Sequence, residues 1–242
     1  MFAVQASADP YSDGMAAFAS EDYETAIANF QSALARRPGF AAYNYMLAMS
    51  YLRSGRSDSA IATFRKVVTA KKLTDVLKEK AYVNLLRTLV DNAGIAEVET
   101  TGKAAATAIP ESAEVRNQIG RARLNAGKFS AAVDILVKAT RLDSNSWTIY
   151  NNLGLAYLKL GNLKGAMHAF ERAASLNSRL PFVYNNLGVT YEGLHRYADA
   201  EKAYRKALAL DSGYAKAVQS LKRVKKMSAR EQTDTYVIKS NK

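Results

Sequence analysis

Cysteine is absent from the 242 residues. That removes disulfides, thiolate zinc sites and cysteine nucleophiles, and it fits a reducing cytoplasm and a cysteine-free periplasmic protein equally. No uninterrupted apolar run reaches the ~18 residues of a membrane-crossing helix, so none is expected. Histidine is scarce: His168 and His195 are the two in the chain. Neither has a second histidine one helical turn away or a carboxylate cluster beside it, so neither a metal site nor a general base is expected. No Gly-x-Ser-x-Gly elbow or glycine-rich dinucleotide fingerprint occurs. Gly127-Lys128 is followed by Phe129 where a phosphate-binding loop needs Ser or Thr, and no strand pattern precedes it. The chain is therefore expected to be non-catalytic and to need no cofactor.

Positive charge is in excess, with 34 Lys and Arg against 22 Asp and Glu and a formal charge of +12. Such a balance favours acidic partners, nucleic acid or an anionic membrane surface through long-range attraction. The opening "MFAVQASADP" carries a small-x-small-like Val4-Gln5-Ala6 but lacks a basic start and a long apolar stretch. Residues 1–6 are read as a frayed terminus or the remnant of an export signal, which leaves cytoplasm, periplasm and cell envelope open.

The chain also repeats itself. "YNNLGLAYLKLGNLKGAMHAF" begins at Tyr150, and "YNNLGVTYEGLHRYADAEKAY" begins 34 residues later at Tyr184. The same small and large residues recur at that step over residues 7–40, 41–74, 79–112, 113–146, 147–180 and 181–214. Four extra residues, Asp75 to Lys78, interrupt the period; that is about one helical turn. With Trp147 as position 1, Leu153, Gly154, Tyr157, Gly161, Ala166, Phe170 and Ala173 hold positions 7, 8, 11, 15, 20, 24 and 27.

Positions 4, 7, 8 and 11 share one face of a first helix, and 20, 24 and 27 share one face of a second. Small residues at 8 and 20 let the helices approach, while the large residue at 24 fills the space beside them. Gly161 sits where the first helix ends, in a place suited to a left-handed backbone. Units of this kind bury their apolar faces only by stacking, so the fold class is all-α, a right-handed α-solenoid over residues 7–228. Residues 215–228 continue the spacing as a polar capping helix, and residues 229–242 are expected to be disordered. The third unit departs most from the pattern, with Gly102 at position 24 inside "VETTGKAAATA"; it is read as either a hinge or an irregular helix with the same packing.

This recurrence resembles the tetratricopeptide repeat, a helix-turn-helix unit of about 34 residues. The resemblance implies a non-catalytic interaction module in which the first helices line a concave side that holds extended peptides. Its "NNLG" spelling is similar to repeats of bacterial assembly proteins and implies a role in building multiprotein complexes. Positions 2, 5, 9, 12 and 13, bordered by 6, form the stripe that would face such a ligand. They carry Asn117, Asn151 and Asn185 at position 5 and Asn84, Gln118, Asn152 and Asn186 at position 6. An amide both donates and accepts, so this row either pairs with an extended backbone or bonds a neighbouring helix. Lys80, Arg87, Arg121, Lys159 and Arg223 add positive charge, whereas Tyr11, Met15, Tyr45 and Met49 make the first two repeats apolar. The partner implied is a protein or peptide segment that is acidic or carboxylate-bearing with an apolar end. The Lys/Asn pair that the family uses at positions 5 and 9 to clamp chaperone tails is missing, so such a tail is disfavoured.

Two alternatives stand beside this reading. Lys216, Lys222, Arg223, Lys225, Lys226 and Arg230 make the capping segment basic enough to meet nucleic acid or an anionic membrane surface. Tyr11 and Phe18 at the first repeat offer a surface for self-association.

Overall fold

The computed structural model describes residues 9–92 and 95–240, with side chains for 9–92 and 96–229. The expectation for residues 1–6 lies outside the described residues, as does the end of the tail at Asn241 and Lys242. The described residues form thirteen α-helices, and no strand occurs among them. The chain divides into two compact units, residues 1–122 and 123–242.

The first unit holds α1 (Pro10–Ala19), α2 (Tyr23–Arg36), α3 (Ala41–Arg53), α4 (Ser57–Val68), α5 (Asp75–Asn92), α6 (Ile95–Ala108) and most of α7 (Ala113–Asn125). Gly14 on α1 shows why the small residue at position 8 matters: a Cβ there would lie 2.8 Å from the Phe30 ring of α2. Phe30, Ala26, Ile27 and Ala17 join Leu47 of α3 in one buried cluster. Neighbouring repeats are also pinned at their rims, where the Arg56 guanidinium grips Glu24 at 2.7 and 2.8 Å. Both side chains are largely exposed, so this pair orients more than it stabilises.

The four inserted residues lengthen a helix and leave the loop before it short. α5 has 18 residues, whereas α3 and α7 have 13 each. Its start is set by Thr74, whose Oγ1 accepts from the Leu77 N–H at 3.3 Å and whose carbonyl accepts from Lys78. Asp75 in the first turn suits the positive end of the helix dipole.

α6 runs unbroken through Gly102. Here the size pattern is reversed, because position 8 is Leu86, fully buried, and position 24 is the glycine. A Cβ on Gly102 would lie 3.0 Å from Ile119 Cγ1 and 4.0 Å from Leu86 Cδ2. The large residue has moved from the second helix to the first, and the two helices remain in contact. The third repeat is therefore a helix pair in contact, though its helices approach each other over less of their length than in the glycine–aromatic pairs.

The second unit holds the end of α7, then α8 (Phe129–Leu142), α9 (Trp147–Lys159), α10 (Leu163–Leu176), α11 (Pro181–Gly193), α12 (Tyr197–Leu210) and α13 (Ala215–Ser240). Gly154 and Gly188 sit against the rings of Phe170 and Tyr204, and a Cβ on Gly154 would be 2.6 Å from Phe170. Phe170, Ala173, Val183 and Leu187 form one core cluster, and Tyr204, Ala207, Ala217 and Val224 form the next. Position 15 takes a left-handed backbone at Gly127 (φ 70°) and Gly161 (φ 75°), and His195 adopts it as well (φ 58°). The last helix, expected to end at Ser228, runs on to Ser240, over most of the segment expected to be disordered. No glycine or proline follows Gly213, so the sequence contains no signal that stops it.

Candidate partner-binding surface

In the first unit the stripe residues reach from one first helix to the next. Asn84 on α5 is buried, donates through Nδ2 to the Tyr45 hydroxyl of α3 at 2.9 Å, and accepts from Arg87 one turn on. Burial raises the Tyr45 hydroxyl pKa, and the bond from Asn84 offsets part of that rise. Tyr45 also packs edge-on against Phe64 at 5.9 Å, so its hydroxyl is held by both aromatic and amide contacts. Met49 stands half-buried one turn beyond Tyr45. On α7, Arg121 donates to Gln118 Oε1 at 2.8 Å and to Asp91 Oδ1 of α5 at 2.7 Å. Asn117 and Gln118 are both buried and both donate to Glu114.

The second unit continues the pattern with amides. Asn186 on α11 donates to Asn151 Oδ1 on α9 at 3.4 Å, and Asn152 stands half-buried beside it in sequence. Asn185 is buried, with 6% of its surface exposed, and its Oδ1 has no hydrogen-bond donor among the described residues. Lys159 at the end of α9 is exposed and has no carboxylate partner among the described residues. At the far end, Arg223 of α13 grips Glu192 of α11 at 2.8 and 2.9 Å, and Glu192 also accepts from the Tyr204 hydroxyl. The bidentate, partly buried geometry makes this a firm attachment for the first turns of α13.

Several stripe residues expected to face a ligand are thus engaged within the chain. Asn84, Asn151 and Asn186 bond a neighbouring first helix, Asn117 turns to Glu114, and Arg121 and Arg223 are paired with Asp91 and Glu192. The carboxylates responsible were missed: Glu114, Asp91 and Glu192 occupy positions 2, 13 and 12 of the same stripe. Their signal was present in the spacing, since a cation at position 9 stands opposite each cross-helix acid. Lys80, Arg87 and Lys159 remain as exposed cations of the stripe.

A family model described as tetratricopeptide repeat matches residues 11–72 and 117–181, more than half of the chain, and a second model of the same description matches residues 181–214. The chain belongs to the tetratricopeptide repeat family. No curated protein matches it in sequence. Among solved structures it is similar to a chain of the APC/C hetero-tetramer Cut9-Hcn1, with a TM-score of 0.72 and 19% identity over 89% of this chain. This chain spans 42% of that one. It is also similar to MamA from Desulfovibrio magneticus RS-1, with a TM-score of 0.62 and 16% identity over 72% of this chain and 96% of MamA. A third similar structure is YrrB, titled a TPR protein with an unusual peptide-binding site. Its TM-score is 0.61 at 19% identity, over 80% of this chain and 97% of YrrB. At these identities the likeness establishes the fold alone; the family match supports a protein–protein interaction scaffold. Among the described residues no helix is long and apolar enough to cross a membrane.

Proposed function

We propose that this tetratricopeptide protein is a non-catalytic scaffold whose first-helix stripe holds an extended segment of a partner protein during assembly of a complex. The observation that carries this reading is the set of stripe residues that stay accessible, the exposed cations Lys80, Arg87 and Lys159 and the half-buried Tyr45 and Met49. The bonds from Asn84 to Tyr45 and from Asn186 to Asn151 hold neighbouring first helices in register beneath those side chains. Tyr45 and Met49 would take an apolar residue of the segment, and Arg87 and Lys159 would draw its carboxylates.

The test is photo-crosslinking in the host cell from a benzoylphenylalanine placed at Met49 or Asn152, with the exposed His168 on α10 as the control position. A discrete protein adduct from the first two positions and none from His168 supports the stripe. Equal adducts from all three, or adducts from His168 alone, would contradict it.

The basic last helix supports a second reading, binding of nucleic acid or an anionic membrane surface, because Lys216, Lys222, Lys225 and Lys226 are all exposed on α13. It predicts binding to duplex DNA or phosphatidylserine vesicles that falls steeply with salt and disappears when those four lysines become glutamine.

A further inference from the structure

The first unit contains a pocket between the loop that precedes α3 and the loop that precedes α5, touching the first-helix stripe at Ala42 alone. It measures about 760 Å³, within the size range of small-ligand sites. Phe40, Ala41, Leu73 and Leu77 supply its apolar lining. Leu77 belongs to the four-residue insertion, so the extra turn of α5 that breaks the 34-residue period also builds one wall. Leu73 and Leu77 rest on the buried cluster of Ala41, Val67 and Ala81. Phe40 remains 45% exposed and is held in place by an edge-to-face contact with Tyr43 at 4.6 Å.

Arg37, Lys71 and Lys72 border the pocket, no carboxylate lines it, and none of the three has an acidic partner among the described residues. Their positions are informative. Arg37 and Lys71 both occupy repeat position 31, where the second unit has Asp143, Asn177 and Asp211. There the side chain closes the turn by accepting from a backbone N–H two residues on, at 2.8, 3.0 and 3.0 Å. The two loops around the pocket give up that turn-closing bond and carry cations instead.

We propose that this pocket is a second partner site, which takes a short acidic protein segment presenting one apolar side chain. The apolar anchor enters against Phe40, Leu73 and Leu77. Carboxylates on either side of it meet Arg37 from one loop and Lys71 and Lys72 from the other. Cations contributed by two separate loops suit a segment with charges flanking its anchor better than a single headgroup at one end of an acyl chain. The proposal does not depend on the first-helix stripe.

The probe is an end-capped peptide with a central Phe flanked on each side by two Glu residues, titrated into the full chain at low salt. Methyl and aromatic NMR signals of Phe40, Leu73 and Leu77 should shift. Lys71→Glu/Lys72→Glu, a change at two exposed side chains, should weaken binding at least about tenfold and create binding to the same peptide with Lys flanks. Circular dichroism confirms that the variant is folded. Absence of shifts at Phe40, Leu73 and Leu77, equal affinity for the Gln-flanked peptide, or shifts at Tyr45 and Met49 instead would overturn the proposal. Charge-dependent binding to phosphatidylserine vesicles without peptide binding, or dimerisation through Phe40 that excludes the peptide, would overturn it as well.

Discussion

The third repeat and the two that end the chain solve the same packing problem with opposite residues. In α9/α10 and α11/α12 a glycine on the first helix receives an aromatic ring from the second. In α5/α6 a buried leucine on the first helix lies over a glycine on the second. What these repeats share is complementary size across the helix pair, and either helix can supply the large member. Judged by identity at each position, the third repeat breaks the pattern; judged across the pair, it keeps a large residue facing a small one, over a smaller contact between its helices.

The largest effect that sharpens this comparison comes from truncating the large member on each side. Phe170→Ala should cost about 3–5 kcal/mol in urea unfolding, and Leu86→Ala about 2–5 kcal/mol, since both side chains are fully buried. A loss below about 1 kcal/mol for Leu86→Ala would break the comparison and leave the third repeat as a loose segment.

Most of the architecture was legible because the period is written in residues that must pack. Gly154, Phe170 and Leu187 announce their roles by spacing alone. The inversion at Leu86 and Gly102 was only half legible: the glycine at position 24 was visible, and its meaning depended on reading position 8 with it. The bounds of α13 were less legible, because a polar, charged segment without glycine or proline fits both a tail and a helix. On the binding stripe the asparagines and arginines were visible, but which of them are already engaged depends on distances between helices. Asp91 and Glu192 lie 30 and 31 residues from the arginines they hold, a pairing that only the stacked helices bring together.

A smaller effect belongs to the aromatic side of the comparison and is read through pH. The Tyr191 hydroxyl is pushed up from its ordinary 10.0 to about 12, by burial first and then by its bond to Glu171 at 2.9 Å. Tyr204 is raised too, by burial and then by its bond to Glu192. A phenol raised on folding stays protonated in the native state after the unfolded chain has lost the proton. Its contribution is therefore complete below pH 10 and is lost as pH rises toward about 12. Because Tyr191 is substantially exposed, solvent screening moderates the effect. Tyr191→Phe should flatten the alkaline loss of stability measured by urea unfolding at a series of pH values.

The smallest effect lies at position 15. Gly161 has φ 75° and His195 has φ 58°, so the same left-handed turn is made by a residue that suits it and by one that does not. Gly161→Ala should lower stability by about 1–2 kcal/mol, the cost of a side chain in that conformation. His195→Gly should be neutral or stabilising by up to about 1 kcal/mol, because the gain in the turn is partly offset by entropy in the unfolded chain. Thermal denaturation of the two variants side by side checks the signs.

The most direct test of size complementarity is a double-mutant cycle that rewrites the fifth repeat in the pattern of the third, with Gly154→Leu and Phe170→Gly measured singly and together by urea unfolding. Each single change should destabilise, the first by about 1–3 kcal/mol through overpacking and the second by about 3–5 kcal/mol through the cavity it leaves. The pair should lose at least about 1 kcal/mol less than the sum of the singles, because the new leucine fills the space the ring vacates. Additive losses within about 0.5 kcal/mol would mean that the two positions do not share one packing volume, and would contradict the account.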